Sequence, residues 1–120
     1  GGHNEAGGQA VANTLAELDE RVPCPVHVVW GMMETKDATR FIAPFKGLVG
    51  HIYTVPIPGE PNAFDPAPLA DAARSEGFDA VPVSSVHEAL LRSASGGEAA
   101  RVLICGSLYL AGHVLKLHTV

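Results

Sequence analysis

The chain has 120 residues, enough for one domain with a buried core. Its 47% hydrophobic and 18% charged residues exclude a disordered chain, and a net charge of −5 with no basic stripe excludes a nucleic-acid partner. The apolar runs are strand-length and no signal-peptide pattern is present, so no membrane partner is expected.

Helix and strand alternate from start to finish. Val11, Leu15 and Leu18 recur at helical spacing in a segment predicted as a helix from Glu5 to Glu20, which Pro23 and Pro25 stop. Val26 to Trp30 reads as a short apolar strand ending at Gly31. Asp37 is placed to cap a helix carrying Phe41, Ile42 and Phe45, shortened or kinked by Pro44. Ile52 to Val55 is the next strand, followed by a rigid loop with Pro56, Pro58, Gly59 and Pro61. Asp65-Pro66 opens a helix to about Glu76, closed by Gly77. Phe78 to Val83 is a third strand, and Pro82 places it near an edge or a strand end. Ser85-Val86-His87-Glu88 is a capping box for a helix through about Ser93. After Gly96-Gly97, Arg101 to Gly106 forms the fourth strand and Ser107 opens a last apolar helix.

This order predicts an α/β fold, a three-layer Rossmann-like sandwich with a mainly parallel sheet. The strands fall near residues 26–30, 51–55, 79–83 and 101–106. Those at Val26 and Val102 are expected to be central because both are nearly all apolar. In such sheets the loops leaving the strands share one edge, where ligands bind. The strand–Gly–Ser–helix step at Gly106-Ser107 stands there. The first turn of its helix offers free N–H groups to a carboxylate or phosphate, although capping alone explains Ser107 equally well. A second polar corner, Gly2-His3-Asn4-Glu5, is placed to open on the same edge, its alternative being a tail with tag-like glycines.

The six histidines have no metal-ligand spacing, and zinc is not expected. His27 and His51 fall at strand starts, away from the ligand edge, and His113 and His118 sit on the last helix. There is no Walker-type phosphate loop. Two cysteines, Cys24 and Cys105, far apart in the chain, read as reduced thiols and place the protein in the cytoplasm. The opening Gly1-Gly2-His3 without methionine reads as an excised or processed domain.

Gly2-His3-Asn4-Glu5-Ala6-Gly7-Gly8, Val28-Val29-Trp30-Gly31-Met32, Lys36-Asp37 and Gly106-Ser107-Leu108-Tyr109-Leu110-Ala111-Gly112 together resemble the C-terminal domain of bifunctional folylpolyglutamate synthase/dihydrofolate synthase, in the Mur-ligase superfamily. The likeness runs in order along nearly the whole chain. The family's first motif normally reads Asp-Gly-x-His-Asn-Pro; here the leading Asp is missing and Glu5 stands at the Pro. Its usual Asp-Lys-Asp is Thr35-Lys36-Asp37 here. The nucleotide-ribose contact made by that Asp therefore falls outside the chain.

The resemblance implies that residues 1–120 are one Mur-ligase-type domain, a fragment of a larger two-domain enzyme. It implies an ATP-dependent ligase that adds L-glutamate to dihydropteroate or tetrahydrofolate through an acyl phosphate, attacked by the glutamate amine. His3 and Ser107 would help place glutamate, with Asn4, Lys36 and Asp37 on the nucleotide or phosphate side. ATP and magnesium would be bound mainly by the enzyme's own N-terminal P-loop domain, and folate or dihydropteroate would be the acceptor. No catalytic residue is expected within the chain, and the isolated domain should be inactive. The alternatives are a domain of a peptidoglycan-type Mur ligase, or a non-catalytic module that binds a small ligand.

Overall fold

The computed structural model describes residues 5–21, 23–95 and 100–106. In chain order these form α1 (Glu5–Arg21), β1 (Val26–Trp30), α2 (Ala38–Ile42), a single 3-10 turn (Ala43–Phe45), β2 (His51–Thr54), α3 (Pro66–Ser75), β3 (Ala80–Pro82), α4 (Val86–Ser95) and β4 (Arg101–Cys105). The strands form one sheet in the order β3-β2-β1-β4, and every pair is parallel. The predicted last helix, from Ser107, and the Gly96-Gly97 loop lie outside the described residues.

Alternation along each strand divides the core in two. Val26, Val28, Trp30, Ile52 and Ala80 face α1, α2 and α3, where they meet Ala12, Leu15, Phe41, Ile42, Phe45, Leu69 and Ala73. Val29 and Tyr53 face the other way, onto Val86 and Ala89 of α4. Helices therefore cover both faces, as a parallel sheet requires.

The helix starts follow the sequence signals with two adjustments. Asp65 precedes α3 without a side-chain cap bond. Pro66 and Pro68 have no N–H groups to satisfy, so the first turn asks less of a cap. At α4, Ser85 Oγ accepts from the Glu88 N–H at 3.0 Å. The Glu88 carboxylate, however, reaches back to Ser84, accepting from its hydroxyl at 3.0 Å, so the box closes one residue early.

One expectation is corrected. β1 is central, but its inner neighbour is β2, and β4 forms the edge of the described sheet, with Val102 36% exposed. Strand composition does not report strand order; the crossovers do. α2 and α3 carry the chain outward from β1 to β2 to β3, and α4 returns it across the opposite face to β1's free side. The more polar β2 tolerates the interior because its polar groups are bonded. Thr54, fully buried, donates its hydroxyl to the Pro66 carbonyl at 2.7 Å.

The contact between α1 and α2 depends on an absent side chain. A Cβ on Gly8 would fall onto the backbone carbonyl oxygen of Phe41. An Ala for Gly exchange inside a helix ordinarily stabilises by about 1 kcal/mol. Gly8→Ala is expected to do the reverse, destabilising by about 1–3 kcal/mol through overpacking, as urea denaturation of the chain would read.

Candidate functional site

The chain leaves β1 over the face that carries α2, while β4 is reached from the face that carries α4. Between the carboxyl ends of β1 and β4 the winding therefore changes face, and in open parallel sheets this is where a crevice for ligands forms. The ends of β1 and β4 touch there. Gly31 N–H donates to the Cys105 carbonyl at 3.3 Å. Gly106 follows with φ +106°, and a Cβ on it would meet the Gly31 carbonyl oxygen and would lie 2.7 Å from Cδ1 and 3.0 Å from Nε1 of Trp30. Only a glycine fits at the end of β4.

Trp30 forms the floor of this corner. It is fully buried, and its ring stacks on Phe41 with centroids 5.9 Å apart and an 18° tilt. Its buried indole N–H has no acceptor among the described residues. Contacts thus run from Gly8 near the start of α1, through Phe41 and Trp30, to Gly106 at the end of β4. In sequence, the two polar corners directly adjoin the ends of this stack. The residues themselves, His3, Asn4 and Ser107, lie outside the described residues.

Lys36 and Asp37 stand in the loop that leaves β1 on the same edge. Lys36 is partly buried, and its N–H closes a turn on the Met33 carbonyl at 3.1 Å. Asp37 caps α2: its Oδ1 accepts from the Arg40 N–H at 3.2 Å and the Thr39 hydroxyl at 3.0 Å. The Arg40 N–H, then the Thr39 hydroxyl, hold this carboxyl below its ordinary range. The cap gives Asp37 a structural task alongside the ligand-side role the resemblance implies.

His27 and His51 lie side by side at the opposite, amino edge. His27 Nδ1 pairs with Ser93 Oγ at 2.7 Å, and His51 Nδ1 donates to Asp79 at 3.1 Å. Among the described residues no three His, Cys, Asp or Glu side chains gather closely enough to hold a metal ion. A groove of about 490 Å³ between α1 and β4 is lined mainly by apolar side chains, among them Val11, Leu15, Leu18 and Leu103, and offers little to a charged ligand. No helix among the described residues is long and apolar enough to cross a membrane.

Sequence reasoning named Gly106 and placed Trp30-Gly31 at a strand end, but missed Trp30 as the floor of the corner and the contact of Gly31 with Gly106. The available signal was an aromatic residue closing a buried strand directly before a glycine.

An all-parallel sheet covered by helices on both faces, with a change of winding between β1 and β4, defines a Rossmann-like α/β domain. Within that class the chain belongs to the Mur ligase, glutamate ligase domain family, whose model matches residues 1–108. No curated protein sequence matches the chain. Among solved structures it is similar to E. coli FolC in complex with DHPP and ADP, with 24% identity, a TM-score of 0.79, and coverage of 97% of this chain and 27% of that one. It is also similar to Mycobacterium tuberculosis folylpolyglutamate synthase complexed with ADP, with 22% identity, TM-score 0.81, and coverage of 98% and 28%. A third is the bifunctional folylpolyglutamate synthase/dihydrofolate synthase of Yersinia pestis complexed with AMPPNP and Mn ion, with 24% identity, TM-score 0.81, and coverage of 98% and 27%. The chain thus spans little more than a quarter of each of these proteins.

Cys105 lies beside the corner. It is only partly covered as a residue, but its side chain packs against the core, and burial pushes its thiol up to about 12. In the unfolded chain the thiol ionises near pH 8.5, about the usual value, so the unfolded state loses its proton first and stability falls as pH rises beyond that. Thermal melts from pH 8 to 11 should show a steeper decline for the native chain than for Cys105→Ala. Iodoacetamide should label Cys24 well before Cys105.

Proposed function

We propose that this chain is the C-terminal domain of a two-domain, ATP-dependent ligase that adds L-glutamate to a folate-type acceptor, dihydropteroate or tetrahydrofolate. The observation that carries this reading is the glycine-only corner at the change of winding, from which Ser107 follows directly. The family match over residues 1–108 and the nucleotide-bound relatives support it.

The chain's part is to place the incoming amino acid. Ser107 and the N–H groups that follow it hold a glutamate carboxylate, and His3 donates to the same ligand. Lys36, on the loop leaving β1, supplies positive charge to the phosphate side, with Asn4 and Asp37 near it. Holding the amine in line with the activated carboxyl turns a bimolecular attack into a local one, which is catalysis by proximity rather than by proton transfer. The Lys36 ammonium suits a phosphate or carboxylate. In this reading the magnesium and most of the nucleotide belong to the N-terminal P-loop domain. The setting is the cytoplasm.

In the intact enzyme, Ser107→Ala should raise the apparent KM for glutamate about ten- to a hundredfold, the effect of losing one hydrogen bond to a charged group. A Ser107 that serves only as a cap would instead lower the melting temperature and leave glutamate kinetics unchanged. Steady-state kinetics and thermal melts on the same variant separate the two. The purified 120-residue chain should neither hydrolyse ATP nor ligate glutamate; turnover abolished by a mutation within it would overturn the domain assignment.

A further inference from the structure

The seven residues 31–37 between β1 and α2 form a longer link than most strand-to-helix connections, and Lys36 sits at its far end, directly before the Asp37 cap. Its place is set largely by a segment distant in sequence. The Glu34 N–H donates to the Asn62 carbonyl at 2.8 Å, and the Phe64 N–H donates to the Met32 carbonyl at 2.8 Å. Met33 and Ala63 pair antiparallel between these bonds. Two loops that leave neighbouring parallel strands are thus zipped into a short ribbon on the ligand edge.

The partner loop is stiff. Pro56, Pro58 and Pro61 each fix φ. Turn bonds from the Glu60 N–H to the Ile57 carbonyl and from the Ala63 N–H to the Glu60 carbonyl, both 3.2 Å, brace it internally. It is tied to the sheet at both ends, by the Val55 N–H on the Trp30 carbonyl at 2.9 Å and by Thr54 Oγ1 on the Pro66 carbonyl at 2.7 Å. Ile57 is buried at 3% exposure, and Phe64 packs against the core.

We infer that Pro56–Phe64 is a positioning strap for Lys36, with Asn62 and Phe64 as the residues that hold the Lys36 loop in register with the crevice. This rests on the reading that Lys36 serves the phosphate side. The strap touches no substrate; it keeps the lysine from sampling positions that cannot meet a phosphate, and so lowers the ordering cost of nucleotide binding.

The test uses the intact enzyme. Pro58→Gly/Pro61→Gly removes two exposed rings but keeps both ribbon bonds available, and Phe64→Ala removes the core anchor. In both variants the Glu34 amide should exchange hydrogen faster, and the apparent KM for the nucleotide should rise about fivefold with kcat little changed. Lys36→Met should raise that KM by about tenfold or more. Combining Lys36→Met with either strap variant should add nothing further, because the strap acts through the lysine. Multiplying effects would overturn the strap while leaving the Lys36 reading in place. So would unchanged exchange at Glu34 in both variants, or faster exchange with an unchanged KM. If Lys36→Met alone leaves the nucleotide KM unchanged, the phosphate-side reading falls and the strap falls with it.

Discussion

The end of β1 and the end of β4 approach so closely that a single hydrogen atom on Gly106 is all that fits against the Gly31 carbonyl and the Trp30 ring. Everything on the carboxyl edge is arranged around that approach. Because the Gly31 N–H is bonded to the Cys105 carbonyl, the two strand ends are held in contact, with Trp30 beneath them. A larger residue at 106 would push the strands apart where the winding changes face, and the corner would open.

The stack of Trp30 on Phe41, continued to Phe45 at 5.5 Å, extends this constraint across the domain. Phe41 supplies its ring to Trp30 and its backbone to Gly8, so the same residue that closes the β1 corner also seats α1. The start of the first helix and the end of the last described strand are coupled through aromatic packing rather than through a hydrogen bond. Such packing is nearly incompressible, so the two ends are held at a fixed separation.

The two edges of the sheet are held together by different kinds of bond. At the amino edge the imidazoles of His27 and His51 have local partners in Ser93 and Asp79, and His51 also meets the Tyr53 ring edge-on at 4.4 Å. At the carboxyl edge, backbone groups rather than side chains do most of the holding, through the ribbon between the loops after β1 and β2. Backbone bonds leave the side chains of that edge, Lys36 among them, available for other work.

The alternation of elements was legible in the residues themselves. Periodic apolar spacing marked α1, the Asp37 and Asp65-Pro66 steps marked helix starts, and Pro82, read as near an edge or a strand end, closes β3 at the edge of the described sheet. Those signals are local, set by backbone geometry and capping chemistry within a few residues. The likeness at Gly2–Gly8, Gly31, Lys36-Asp37 and Gly106-Ser107 pointed to the family for the same reason, since each motif is a short run of particular residues. Strand order was not legible: an apolar β4 reads as central, yet only the face on which α4 crosses decides that β2 flanks β1 and β4 ends the described sheet. Nor could residues 31–37 and 62–64 be paired from sequence, because hydrogen bonds between main chains carry no side-chain signature. Trp30 as a floor beneath Gly106 was hidden likewise, since their contact joins residues far apart in the chain and exists only once β4 has docked beside β1.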